Sequence, residues 1–209
     1  AFRLTNERRK FVYLSDGGHF ENLGLYEMLR RRCHYIVVGD AGCDPNCAFD
    51  DLGNAARKAR IDMGIPIDFR NGVSIFSRTD RENPRGSCFA VADIDYKAVD
   101  GEQARNGVLL YIKPAFYGNT PMDVLNYARG SPAFPHEPTS DQFFSESQLE
   151  SYRALGRHIV SEMTDGDEPV AGLEEFCEKA RTYLKKLHDR ECASEVSGSL
   201  AAPPSPGLR

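Results

Sequence analysis

Residues 11–40, FVYLSDGGHFENLGLYEMLRRRCHYIVVGD, constrain the fold more than any other stretch. A short apolar run over 11–14 reads as a buried strand, and it breaks abruptly on Ser15, Asp16, Gly17 and Gly18. Paired glycines allow backbone angles that a Cβ forbids, so the turn can close around Asp16 and offer it backbone N–H groups. The spacing of Leu25, Met28, Leu29 and Arg32 predicts a helix over 22–32, and the apolar run 35–40 predicts a second strand. Strand, helix and strand within about 30 residues make a βαβ unit with parallel strands and a right-handed crossover. Ligands of such sheets bind beyond the carboxyl ends of the strands, and Asp16 stands at one of those ends. The fold class expected is therefore α/β, with a mixed sheet flanked by helices.

The rest of the chain extends this unit. The loop 41–50 leaves the carboxyl edge of the second strand, so Asp40 and Asp44 are near-site candidates whose ordinary roles are turn formation and helix capping. Asp50 or Asp51 is expected to cap a helix reaching Met63, stopped by Gly64. Runs 65–69, 89–96 and 108–116 read as strands, the last two forming an antiparallel hairpin. The Arg-, Asn-, Gly- and Pro-containing segment 70–87 reads as an exposed loop. Segment 117–144 is irregular, with Tyr117, Tyr127, Phe134, Phe143 and Phe144 as anchors and a short helix over 122–127. Ser145 with Gln148 has capping-box spacing, opening a helix whose apolar side carries Leu149, Tyr152, Leu155, Ile159 and Met163. A last helix is expected over 170–187. The folded domain is expected over 1–190, with 191–209 a disordered tail rich in Ala, Ser and Pro.

Composition sets the outer bounds. A chain of 209 residues with 41% hydrophobic content can build a real core. A net charge of −5 and the absence of a basic stripe exclude a nucleic-acid surface; Arg30, Arg31, Arg32 and the Arg57–Arg60 cluster read as solvated helix positions. No run is long and apolar enough to span a bilayer, and no signal peptide opens the sequence. Six scattered cysteines make no disulfide framework, which suits a soluble segment in a reducing compartment, in the cytoplasm or peripheral to a membrane. Cys43 and Cys47, in CDPNC, have a spacing found in metal sites but lack a second pair, so no metal and no cofactor is expected.

The run LSDGGHFENLGLYEMLRRR, followed by an apolar strand ending in Asp-Ala-Gly, resembles a block of the patatin-like acyl hydrolases, the bacterial members above all, a family that includes the cytosolic calcium-dependent phospholipases. The later run FPHEPTSDQFFSESQLESYRALG also resembles segments of bacterial members. The resemblance implies a three-layer fold and a Ser-Asp dyad, in which a serine on a GxSxG elbow attacks a lipid ester. It gives the dyad aspartate to Asp16, with Gly17 and Gly18 completing the motif and lining the substrate site; His19, which follows the turn, would line the site or, more in keeping with its position, orient the loop. His136 would border the lipid cleft or brace its wall. The substrate implied is a lipid or acyl ester, and contact with a membrane surface would come through the full-length protein.

The departure from the family is equally specific. The nearest match to GxSxG is Gly72-Val73-Ser74-Ile75-Phe76, in which a bulky ring replaces the glycine that lets the elbow helix pack. Ser74 is therefore a poor nucleophile candidate, and no glycine-rich donor loop precedes Asp16. The chain then corresponds to the C-terminal half of such a domain, with the serine in an N-terminal half of the same protein. A second reading is an interaction or regulatory module that keeps the scaffold without the chemistry. Locally, Asp16 could also simply cap the following turn, as most Asp-Gly pairs do.

Overall fold

The computed structural model of the chain describes residues 8, 10, 15–83, 85–138, 140–166 and 169–199. The strand expected over 11–14 lies outside these residues; of the expected βαβ unit they include the helix and the second strand. The helix, α1, spans Leu25–Arg30, and the strand, β1, spans Tyr35–Gly39. Helix α1 is shorter than the apolar spacing predicts, because Gly24 turns left-handed at φ 69° immediately before it. Buried Glu21 accepts with its carboxylate from Leu23 N at 2.5 Å, in the lead-in, and from Tyr26 N at 3.2 Å, in the first turn of the helix. At the other end Arg32, at φ 57°, leaves the helix and pairs with Asp100 at 2.6 Å.

Helix α2 spans Asp50–Met63 and stops on left-handed Gly64, as expected. Neither Asp50 nor Asp51 caps it; both lie in its first turn, and the cap is Phe49 at φ 57°. Phe49 is drawn there by its ring contact with Tyr111, centroids 6.4 Å apart. Three strands follow: β2 (Ile67–Asp68), β3 (Phe89–Ile94) and β4 (Gly107–Ile112), with a short helix α3 (Lys97–Asp100) in the hairpin connection. The sheet order is β1-β4-β3-β2. β4 runs parallel to β1 and antiparallel to β3, and β3 is antiparallel to β2, so the sheet is mixed.

Side-chain alternation along the registered strands defines three layers. Ile36, Val38, Leu109 and Tyr111 share one face, the face on which Phe49 and the start of α2 pack. Phe89, Val91 and Asp93 take the other. There α6 (Leu173–Ser199) covers the sheet, setting Tyr183 against Phe89 at 5.3 Å between ring centroids and Arg181 against Asp93. Leu25, Leu29, Leu109 and Leu110 are wholly buried, a burial worth about 1.5–3 kcal/mol for each side chain.

Helices α4 (Met122–Gly130) and α5 (Glu146–Thr164) complete the fold. Ser145 Oγ accepts from Gln148 N at 3.2 Å, while the Gln148 amide donates to Glu137 at 3.0 Å instead of closing the capping box. Leu155, Ile159 and Met163 are buried, but Leu149, expected on the same face, is exposed. Phe134 anchors the irregular segment, meeting Phe116, Tyr127 and Tyr152, whereas Phe143 and Phe144 are exposed and anchor nothing. The loop 70–87 is more than surface: Ile75 is buried, and Arg78 donates to the carbonyls of Ala128, Ser131 and Phe134. Helix α6 runs past the expected end at Leu187 to Ser199, into the segment expected to be disordered; Glu and Ala in that stretch favour helix. Residues 200–209 lie outside the described residues. Among the described residues no helix is long and apolar enough to cross a membrane.

Candidate functional site

Asp16 is exposed at the start of a 3₁₀ turn, Gly17–His19. Its Oδ1 accepts from Gly18 N at 2.9 Å, and its carbonyl accepts from His19 N at 3.1 Å. The aspartate thus caps its own turn with one carboxylate oxygen. Its Oδ2 takes no hydrogen bond among the described residues. His19, exposed like Asp16, sets Nδ1 2.6 Å from Ser15 Oγ, so its ring is held back against the residue that precedes Asp16.

The reason for the two glycines differs from the one expected. Neither Gly17 nor Gly18 has a positive φ. A Cβ on Gly17 would meet nothing within 4 Å, whereas one on Gly18 would lie 2.6 Å from Asn22 Oδ1. At Gly18 the constraint is the close approach of the Asn22 amide, which a Cβ would push aside, and not backbone conformation.

Asn22 carries the turn to the rest of the carboxyl edge. Its Nδ2 donates to Asp51 Oδ2 at 3.2 Å, and the Asp51 carboxylate lies against Gly42, 3.5 Å from where a Cβ would stand. Gly42 N in turn donates to Asp40 Oδ1 at 2.9 Å. Asp40, just past β1, is buried; its Oδ2 accepts from Tyr111 OH and from Lys113 Nζ at 3.0 Å. Asp44 accepts from Ala48 N at 2.8 Å and Phe49 N at 3.0 Å, and lies 3.5 Å from Lys113 Nζ. The structure thus brings Asp40 and Asp44 together around Lys113. Their contacts are the turn-forming and capping ones, with a buried cation added.

The electrostatics follow from that burial. Desolvation and the bond to Asp40 push the Tyr111 phenol far up, so it stays a donor. Burial alone would raise Asp44, but the N–H groups of Ala48 and Phe49 and the Lys113 charge outweigh it and hold its carboxyl below the usual range. His136 is buried beside this cluster, its Nδ1 without a hydrogen-bond partner among the described residues, and burial followed by the Lys113 charge lowers its pKa. Cys43 Sγ donates to the His136 carbonyl at 3.1 Å. His136 is therefore packed inside beside the Asp40–Lys113 cluster and does not face solvent.

Ser74 sits on no elbow. Its carbonyl accepts from Ser87 N at 2.7 Å in an irregular segment, and no helix follows it. No group of His, Cys, Asp or Glu among the described residues is arranged to hold a metal, and Cys33, Cys43, Cys47, Cys88 and Cys177 are free thiols. A cavity of about 620 Å³ between α5 and α6 is lined by Glu162, Asp165, Glu178, Lys179, Tyr183 and Arg190, none of them from the Asp16 turn.

Sequence reasoning passed over Asn22, Asp51, Tyr111 and Lys113. A signal for the last was available: a lysine inside the apolar run VLLYIKPAF, on the same strand parity as Leu109 and Tyr111, needs a buried carboxylate opposite it. No family model, curated protein or solved structure matches the chain.

Proposed function

We propose that this chain carries the proton-accepting half of a serine-dependent lipid acyl-ester hydrolase of the patatin-like class, with Asp16 as the base and the serine supplied by a segment outside this sequence. The observation that supports the reading is the asymmetry of the carboxylate of the exposed Asp16: Oδ1 is fixed by Gly18 N–H, while Oδ2 takes no hydrogen bond among the described residues. A base in a two-residue mechanism needs that arrangement, one oxygen held for orientation and one available to the hydroxyl.

In this mechanism a serine hydroxyl placed about 2.6–3.2 Å from Oδ2 loses its proton to the carboxylate as its oxygen attacks the ester carbonyl. The tetrahedral intermediate collapses by breaking the bond to the leaving alcohol, which takes the proton back from Asp16. Water then enters by the same route, giving its proton to Oδ2 and its oxygen to the acyl carbon; the acyl–serine bond breaks, the serine oxygen takes the proton back from Asp16, and the acid is released. An acceptor alcohol in place of water would make the same site an acyltransferase.

The test is hydrolysis of a short-chain nitrophenyl ester by the full-length protein and by Asp16→Asn. Loss of a general base costs about 10²–10⁴ in rate, so the variant should fall by that much while keeping its fold. Equal rates in the two proteins would reject the role. The absence of a GxSxG elbow from this sequence favours one alternative, a non-catalytic interaction module on the same scaffold. That alternative requires the full-length protein to be inactive on acyl esters.

A further inference from the structure

The segment that follows Asp16 is gripped from one face of α2. Asp51, Asn54 and Lys58 recur at i, i+3 and i+7 and so line one side of that helix, while Leu52, Ala55 and Ala59 turn to the core. All three polar residues reach residues 20–22. Lys58 Nζ donates to the Phe20 carbonyl and sits 3.8 Å from the centroid of the Phe20 ring, while Asn54 Nδ2 approaches the same carbonyl at 3.5 Å. Asp51 takes the Asn22 amide at 3.2 Å, and the other end of that amide lies against Gly18. Phe20 N and Glu21 N both donate to the Gly17 carbonyl, at 2.9 and 3.0 Å, which passes the hold directly to the glycine turn around Asp16.

Contacts on so exposed a segment add little to global stability. Phe20 remains 48% exposed even under the lysine, so burial of the ring does not explain the grip. What the contacts fix is position: they hold the chain immediately after the 3₁₀ turn whose Gly18 N–H orients the Asp16 carboxylate.

We infer that α2 is a clamp that sets the Asp16 carboxylate in place, with Lys58 and Asp51 as its positioning residues. This rests on the hydrolase reading for its purpose, but the clamp itself is measurable without any activity. In the full 209-residue chain, labelled with ¹⁵N, the Gly18 amide reports the bond to Asp16 Oδ1 directly. Lys58→Met, which keeps the aliphatic stem and removes the ammonium, and Asp51→Ala should each speed Gly18 amide exchange about tenfold, by releasing local structure without global unfolding. Lys58→Arg, which restores a donor and a cation over the ring, should return the rate to that of the parent chain. Arg60→Gln, exposed on the same helix and away from the Asp51–Asn54–Lys58 row, is the control and should leave Gly18 unchanged. Unchanged Gly18 exchange in both Lys58→Met and Asp51→Ala would overturn the clamp.

In the full-length enzyme, Lys58→Met should lower kcat about tenfold with KM unchanged, because positioning acts on the transition state rather than on substrate binding. If Asp16→Asn is inactive and Lys58→Met keeps the parent kcat, the clamp is overturned and the hydrolase reading stands. If Asp16→Asn is fully active, the hydrolase reading falls and the exchange measurement alone decides the clamp.

Discussion

Lys113 Nζ lies 3.0 Å from Asp40 Oδ2, the two side chains 1% and 3% exposed, at the carboxyl ends of the parallel pair β4 and β1. Removing one member of such a pair strands the other charge in the interior, which costs more than the pair contributes. Lys113→Met should therefore destabilise the chain by about 3–5 kcal/mol in urea titration, whereas the double variant Lys113→Met with Asp40→Leu should recover much of that loss. A double variant no more stable than the single would show that the cluster is held by something other than charge compensation.

The pH dependence of stability separates His136 from Asp44. Burial and the Lys113 charge keep the folded His136 neutral below its ordinary value of 6.5, with Asp44, Asp40 and the Gly42 backbone only partly offsetting them. The folded pKa is depressed, so the unfolded chain takes a proton that the folded chain declines. Stability is then complete above about pH 6.5 and falls as pH drops from there toward the depressed value, at no more than about 1.4 kcal/mol per unit. Asp44 acts lower down: its carboxyl is depressed below 3.8, so its contribution is present above that value and is lost as pH falls through the folded one. Thermal melts from pH 8 to 5 should show the His136 slope, and His136→Gln should flatten it. A slope that survives the substitution would assign it elsewhere.

The two glycines after Asp16 should respond oppositely to alanine. Gly17→Ala meets open space and should leave the turn intact. Gly18→Ala puts a methyl 2.6 Å from Asn22 Oδ1 and must displace Asn22 from Asp51. Amide spectra of the two variants distinguish the cases: chemical-shift changes should spread to the start of α2 for Gly18→Ala and stay local for Gly17→Ala.

Thiol chemistry offers an independent check on packing. Cys43 is exposed, while Cys88 is buried between β3 and Ala115, and burial pushes its thiol up to about 12. At pH 8 a disulfide reagent should label Cys43 rapidly and leave Cys88 unmodified until the chain unfolds. Early labelling of Cys88 would contradict the packing of β3 against the segment that follows β4.

How much of this was legible in the sequence depends on the kind of signal. Periodicity located α1, α2, β1 and the β3–β4 hairpin, because apolar spacing is a direct image of burial. The pairing of β1 with β4 was not legible, since sequence order does not say which strands meet across the sheet. Helix starts were misjudged at both helices: at α2 the cap is Phe49, which packs on Tyr111, and not Asp50 or Asp51, and at α1 left-handed Gly24 delays the start from residue 22 to Leu25. At the site, Asp16 and its glycines stood out, but the residues that hold them did not. Asn22, Asp51 and Lys58 are ordinary polar residues in sequence, and only the approach of α2 to the turn gives them a shared task.

The most direct test of the central claim is the rate of nitrophenyl ester hydrolysis by the full-length protein with aspartate or asparagine at position 16. Asparagine preserves the size of the side chain and its acceptance of the Gly18 N–H, but it cannot take a proton. The account predicts a fall of about a hundredfold or more with an unchanged melting temperature. Activity equal to that of the parent would contradict it.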